Sequence, residues 1–255
     1  PGGPGGAFEV RVGARRLHAR WLGPAQPRGV LLLSHAGLKG GTQALLTPFG
    51  MEPGPLLADG LAVVAYDRGG AGRSGRGVPL TPGRDEHVED FRAVLRAIRA
   101  RLDPAVPVGV LSFSSGVLPP LRAGEPLAFL IDGEAPADRM CLRPPAGSGA
   151  PEDPALAALP LDDELAWAGR EPARLVGGLI CPYHRLQAEY DHVHGRLYEH
   201  ARVMLAAARA GSCASVRCNG GEDLGVLEGH LHAHGGRIRG WILEAFREAM
   251  PSSTA

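Results

Sequence analysis

No apolar run in the 255-residue chain approaches the roughly 20 residues that a membrane span needs; the longest, such as LAVVAY and GVLLLS, are far shorter. An excess of charge is lacking too, because Lys and Arg number 27 and so do Asp and Glu. A balanced surface offers no net field to nucleic acid or anionic lipid, so neither is expected as a partner. Cysteine is scarce and unpatterned: Cys141, Cys181, Cys213 and Cys218 match no zinc spacing, and free thiols in a reducing compartment are expected. The stretch PGGPGGAFEV has neither the basic start nor the apolar segment of a secretory signal, which points to a cytoplasmic location. GGAGRSG is a Gly-rich turn without the Lys-Ser/Thr ending of a phosphate loop. No cofactor is expected.

What is present is a chain with 44% hydrophobic residues, long enough for one large core. FEVRVGARRLHARWLG alternates apolar and polar residues around Gly13, the pattern of an antiparallel hairpin. VLLLSHAG, LAVVAYD, VPVGVLSFS and LAFLID are short continuous apolar runs, as in strands buried on both faces. Between the second and third, Val88, Phe91, Val94, Leu95, Ile98 and Leu102 recur at helical spacing. Strand, helix, strand at this length predicts an α/β fold with a mostly parallel central sheet and helices on both faces. LICPYHRLQAEYD, GRLYEHARVMLAAARAG, ASVRC and GRIRGWILEAFREAM continue the alternation to the end. The expected organisation is a single domain over 1–255, with the Pro-, Ala- and Gly-rich stretch 133–177 as a cap inserted within it.

The run VGVLSFSSGVLPP ends a buried-looking strand on serines and a glycine. In a parallel sheet the carboxyl ends of the strands carry the chemistry, and a nucleophile is presented there by a turn whose flanks must be small. Ser112, Ser115 and Gly116 around Ser114 meet that demand. Ser114 is therefore the candidate nucleophile, with the backbone N–H of Ser115 aimed at a developing oxyanion. Pro119 and Pro120 predict that the following helix is short or irregular.

From Val30 to Phe246 the chain resembles the α/β-hydrolase family, nearest to its dienelactone-hydrolase-like branch. LLLSHAGLKGG is similar to the family's oxyanion segment with Ala36 inserted, VVAYDRGGAGRSG to its Asp-x-Arg-Gly-x-Gly-x-Ser segment, SFSSG to the nucleophile elbow and RLQAEYDHV to the strand that ends on the triad acid. The resemblance implies a serine hydrolase with a Ser-His-Asp triad. It places a second oxyanion donor at Leu38, with Gly37 as the alternative, and the acid at Asp191. Glu189 is a lesser candidate, and Asp132, at the end of the strand after the nucleophile, is the alternative acid.

The base is expected after the last strand, where EGHLHAHGG offers His230, His232 and His234. His230 is chosen because Gly229 precedes it in the family's small-residue-then-His pattern, and His232 is the alternative. Further pocket candidates are His35, Glu134, Trp167 and His194, while His184 reads as a strand residue and His192 flanks the acid's loop. Glu134, Asp138 and Arg139 have a second reading as an ion pair at the root of the cap. HVHG and HLHAH place histidines two apart, but no carboxylate at matching spacing completes a metal motif, so no metal is expected. The expected activity is cleavage of a small ester, lactone or thioester through an acyl-enzyme. The alternative is a ligand-binding protein on the same fold with a vestigial triad.

Overall fold

The computed structural model describes residues 6–35, 40–75, 78–142, 154–193 and 198–250. The expected oxyanion donor Leu38, its alternative Gly37, and the pocket candidate His194 lie outside these residues. Eight strands form one sheet: β1 (Gly6–Val12), β2 (Arg15–Leu22), β3 (Gly29–His35), β4 (Leu61–Tyr66), β5 (Val108–Phe113), β6 (Leu130–Gly133), β7 (Tyr183–Leu186) and β8 (Val216–Cys218). Their spatial order is β1-β2-β4-β3-β5-β6-β7-β8. β1 and β2 make the predicted hairpin, turning at Gly13 with φ 58°, and β2 runs antiparallel to β4. All later pairings are parallel, so the ends of β3 to β8 open their loops on one edge of the sheet.

The apolar runs are buried because both faces of the sheet are covered. On one face lie the helices Asp85–Arg99 and Glu199–Ala210, whose Val88, Phe91, Val94, Leu95, Met204 and Leu205 pack against Val30, Leu32, Val64 and Val110. On the other lie Pro53–Ala58 and Gly235–Ala249, with Ile238, Ile242 and Phe246 against Leu31, Leu33 and Ile131. Phe246 meets Phe129 edge to face at 4.8 Å. Each fully buried Phe or Leu stabilises the fold by roughly 1.5–3 kcal/mol, and Phe91→Ala would cost about 3–5 kcal/mol through the cavity it leaves. Among the described residues no helix is long and apolar enough to cross a membrane.

Between β6 and β7 the described residues form short helices, including Arg139–Leu142, Glu164–Ala168 and Pro172–Leu175. Arg139 ties them together: its guanidinium bonds the Glu171 carboxylate at 2.8 Å, reaches Glu164 at 2.9 Å and lies 5.7 Å from the Trp167 ring centroid. Trp167, expected in the pocket, is instead fully buried, and its indole N–H donates to the Pro160 carbonyl at 2.9 Å. A Trp with a cation over its ring and its donor satisfied from within serves as this segment's own small core. The ion pair expected at the root of the segment exists, but Arg139 takes Glu164 and Glu171 as partners rather than Glu134.

Candidate active site

β5 delivers Ser114 into a left-handed conformation, φ 55°, at the start of a 3-10 turn over Ser114–Val117. A non-glycine residue held there costs about 1–2 kcal/mol, which surrounding structure must offset. The short helix Leu118–Ala123 follows, with Pro119 and Pro120 in its first turn. Neither proline has an N–H, so the carbonyls of Ser115 and Gly116 lose their usual helical donors. Leu118 N–H bonds the first, and the hydroxyl of Ser34, from neighbouring β3, donates to the second at 2.7 Å. Ser112 spends its hydroxyl on the Ile131 carbonyl at 3.3 Å. Ser114 alone of Ser34, Ser112 and Ser114 has a hydroxyl free of hydrogen bonds among the described residues.

The DRGGAGRSG stretch after β4 is scaffold. Asp67, fully buried, accepts hydrogen bonds from Thr42 N–H at 2.9 Å, Thr42 Oγ1 at 2.7 Å and Arg73 N–H at 2.8 Å. Gly40 and Gly72 approach this carboxylate so closely that a Cβ would lie 2.1 Å and 2.3 Å from its oxygens. Asp90 in turn accepts from Gly69 N–H at 2.7 Å and from Arg15 at 2.8 Å. His35, at the end of β3, has both ring nitrogens buried without a partner. Burial, with Arg68 adding to it, pushes its pKa down to about 4. The ring does not line the cavity described next.

That cavity, of about 510 Å³, opens where the end of β5 meets the loops after β3, β6, β7 and β8; Phe113, Glu134, Tyr190, His192, His230 and His232 are among its walls. The backbone after β7 pairs with the loop after β8: Glu189 N–H bonds the Leu227 carbonyl and Tyr190 N–H that of Gly229. This pairing sets His230 beside Tyr190, where its Nδ1–H donates to the Tyr190 carbonyl at 3.1 Å. Glu189 is a structural acceptor, taking the Gly229 N–H at 3.0 Å. His232 stacks on His230 with centroids 5.2 Å apart, and His234 donates to the Glu228 carbonyl at 2.7 Å.

Asp191 stands at the same edge, but it does not meet His230. Its Oδ2 accepts from His200 Nε2–H and Gln187 Nε2–H, both at 2.6 Å, and its Oδ1 from Val193 N–H at 2.7 Å. Burial opposes the charge, yet these donors, His200 first, hold the Asp191 pKa below the ordinary carboxylate value. Among the described residues no hydrogen bond or ion pair joins Asp191 to His230. The histidine that faces a carboxylate in the cavity wall is His192. Its Nδ1–H donates to Glu134 Oε2 at 3.1 Å, Asp191 Oδ1 lies 3.4 Å away, and its ring stacks on Phe113 at 4.7 Å.

His200 was not singled out in the sequence. Its signal was there: a polar residue on the buried face that Ala201, Met204, Leu205 and Ala208 define in the helix Glu199–Ala210 needs a partner. The alternative acid Asp132 is held inside the fold. It is fully buried, accepting from Tyr183 Oη at 2.6 Å and from Arg185 at 2.8 Å. Arg185 passes on to Gln187 Oε1 at 2.8 Å, so one buried polar chain runs from Asp132 to Asp191 and His200. His184 is buried on β7 with Nε2 unpaired. All four cysteines are free.

Glu134, Asp191 and His192 are the described residues whose ligand atoms lie within 4.8 Å of one another, close enough to share a cation. Both Asp191 oxygens already accept N–H donors, however, so this set is organised as a hydrogen-bonded cluster around an imidazole.

No family model and no curated protein matches the chain. Its three-dimensional likenesses are many. An esterase of Pyrococcus furiosus superposes with a TM-score of 0.68 at 16% identity, covering 96% of this chain and 91% of that one. The proline iminopeptidase of Mycobacterium smegmatis gives 0.62 at 15% identity, covering 95% and 98%. The thioesterase domain of the curacin biosynthetic pathway gives 0.57 at 15% identity, covering 94% and 98%. The chain has the α/β-hydrolase fold.

Proposed function

We propose that the protein is a serine hydrolase that cleaves a small ester, lactone or thioester through an acyl-enzyme on Ser114. The observation that carries this reading is the elbow: a serine held at φ 55° at the tip of β5, with an unspent hydroxyl, next to Phe113 in the wall of a 510 Å³ cavity. Backbone strain of this kind marks positions where function has outweighed stability. The cavity is of small-molecule size. In the proposed reaction a cavity imidazole takes the Ser114 proton as Oγ attacks the substrate carbonyl. The Ser115 N–H, with a second donor from Leu38, stabilises the oxyanion. Collapse expels the alcohol or thiol with that proton, and water then repeats the sequence on the acyl-enzyme. Asp191 is the proposed acid of the site. His230, the sequence-based choice of base, lines the cavity with Nδ1 engaged by the Tyr190 carbonyl, beside two further imidazoles, His192 and His232.

One observation favours the alternative of a ligand-binding protein: no imidazole hydrogen-bonds Ser114 among the described residues. A fluorophosphonate probe separates the two. Labelling of wild type at Ser114, abolished in Ser114→Ala together with a loss of esterase activity of about 10³-fold or more, supports the hydrolase. Failure of the folded wild type to label or to hydrolyse a panel of activated esters leaves the binding reading.

A further inference from the structure

We infer that the general base of this site is His192, oriented by Glu134, rather than an imidazole of the loop after β8. The inference rests on the serine-hydrolase reading and deepens it by choosing among the three histidines that line the cavity, His192, His230 and His232.

A serine base has two requirements. One nitrogen must be free to accept the hydroxyl proton, and the other must be tied to a group that fixes the tautomer and stabilises the imidazolium that forms. His230 meets the first requirement but only half of the second. The Tyr190 carbonyl fixes its tautomer but carries no charge to balance an imidazolium, and the ring is otherwise exposed. Asp191 does not make up the difference, because among the described residues no hydrogen bond or ion pair joins it to His230. His232 leans on His230, its ring stacked against another imidazole that would oppose its charge.

His192 meets both. Its Nδ1–H donates to Glu134 Oε2 at 3.1 Å, with Asp191 Oδ1 a second carboxylate oxygen at 3.4 Å. In that tautomer Nε2 is the nitrogen that can accept a proton. The stack on Phe113 fixes the ring plane beside the residue that precedes Ser114. Glu134 itself carries marks of a placed group. It is buried at 3% exposure, adopts φ 53° directly after β6, and lines the cavity. Its second oxygen, Oε1, is buried without a partner, so the charge is not spent on the protein's own donors. A buried carboxylate left half-satisfied is costly, and its partner across the cavity wall is the one imidazole that would become a cation during turnover.

The step balances within these groups. As Ser114 Oγ bonds to the carbonyl carbon, its proton moves to His192 Nε2, and Nδ1–H stays on Glu134. When the tetrahedral intermediate collapses, Nε2–H gives that proton to the leaving alkoxide or thiolate, and the ring returns to its starting state. Ser114 and His192 are not hydrogen-bonded to each other here, and such bonds commonly close only in the substrate complex.

The test compares His192→Ala and His230→Ala on an activated ester, with Ser114→Ala as reference. His192→Ala is expected to lower kcat by about 10²- to 10⁴-fold and to slow fluorophosphonate labelling in parallel, a loss at least about tenfold larger than that of His230→Ala, whose ring also lines the cavity. Added imidazole should partly restore His192→Ala and leave Ser114→Ala dead. Glu134 is a positioning residue, so Glu134→Gln should lower kcat more than it raises KM and shift the pH–rate profile, and Glu134→Asp should recover part of the loss. Should His192→Ala fail to fold by circular dichroism, His192→Gln replaces it. If His230→Ala is dead while His192→Ala turns over like wild type, the inference is overturned with the hydrolase intact. A wild type that neither labels nor hydrolyses overturns both.

Discussion

Two buried carboxylates stand at the same edge of the sheet and do opposite things. Asp67, after β4, is saturated by three donors and has glycines pressed against it on two sides. Glu134, after β6, bonds one imidazole and leaves an oxygen unpaired. Full satisfaction turns a buried charge into a fastener, and incomplete satisfaction leaves electrostatic free energy available to a reaction. The β6–β7 network repeats the lesson internally, since Asp132 is enclosed by Tyr183 and Arg185 while Asp191, at the other end, reaches the cavity edge.

The sharpest way to break this contrast is to remove the fastener that neutralises a buried cation. Asp132→Ala strands the fully buried Arg185, and urea unfolding should show a loss of about 3–5 kcal/mol. A further substitution of Arg185 by Met should recover much of it; no recovery would mean that Asp132 holds the fold by other means.

Acid should act next most strongly, and on the β4 side. Burial, reinforced by the neighbouring Arg68, lowers the His87 pKa to about 4, and its Nε2–H donates to the Gly69 carbonyl of the scaffold loop. The unfolded chain takes up this proton at the ordinary value near 6.5, before the folded one does. Stability is therefore complete above that value and lost as pH falls from about 6.5 to about 4, by on the order of 3 kcal/mol. Unfolding of His87→Gln should be correspondingly flatter across that range. An equal slope in the variant would assign the acid sensitivity elsewhere.

The comparison is sharpened by one isosteric change at each carboxylate. Asp67→Asn turns an acceptor into a donor facing other donors and should cost about 2 kcal/mol. Glu134→Gln should alter stability by less than about 1 kcal/mol, because one of its oxygens has no bond to lose. Thermal melts of the pair, read beside ester turnover, decide whether the first residue serves the fold and the second the chemistry.

Much of the fold was legible because its strands are written as continuous apolar runs and its long helices as 3.6-residue stripes. The turn at Ser114 was legible for a different reason, since Ser112, Ser115 and Gly116 leave it little bulk to clear. The histidines were not. Which ring meets which carboxylate depends on the pairing of residues 188–190 with 227–229, a contact between loops that carries no periodic signature. That pairing sets His230 beside a carbonyl, whereas the buried face of the next helix brings His200 to Asp191. Trp167 was misplaced for a related reason. Apolar character in an inserted segment does not say whether a ring will face a ligand or Arg139.

The prolines of the elbow leave a trace that an evolutionary or engineering experiment could read. Pro120 lacks the amide hydrogen that would bond the Gly116 carbonyl, and the Ser34 hydroxyl stands in for it. The two positions are distant in the chain and share one bonding duty, so the serine becomes expendable only where residue 120 regains its N–H. They should covary as a unit. A library that randomises Ser34 against a fixed Pro120 will find few functional members, and one that varies both together will recover a second solution to the same turn.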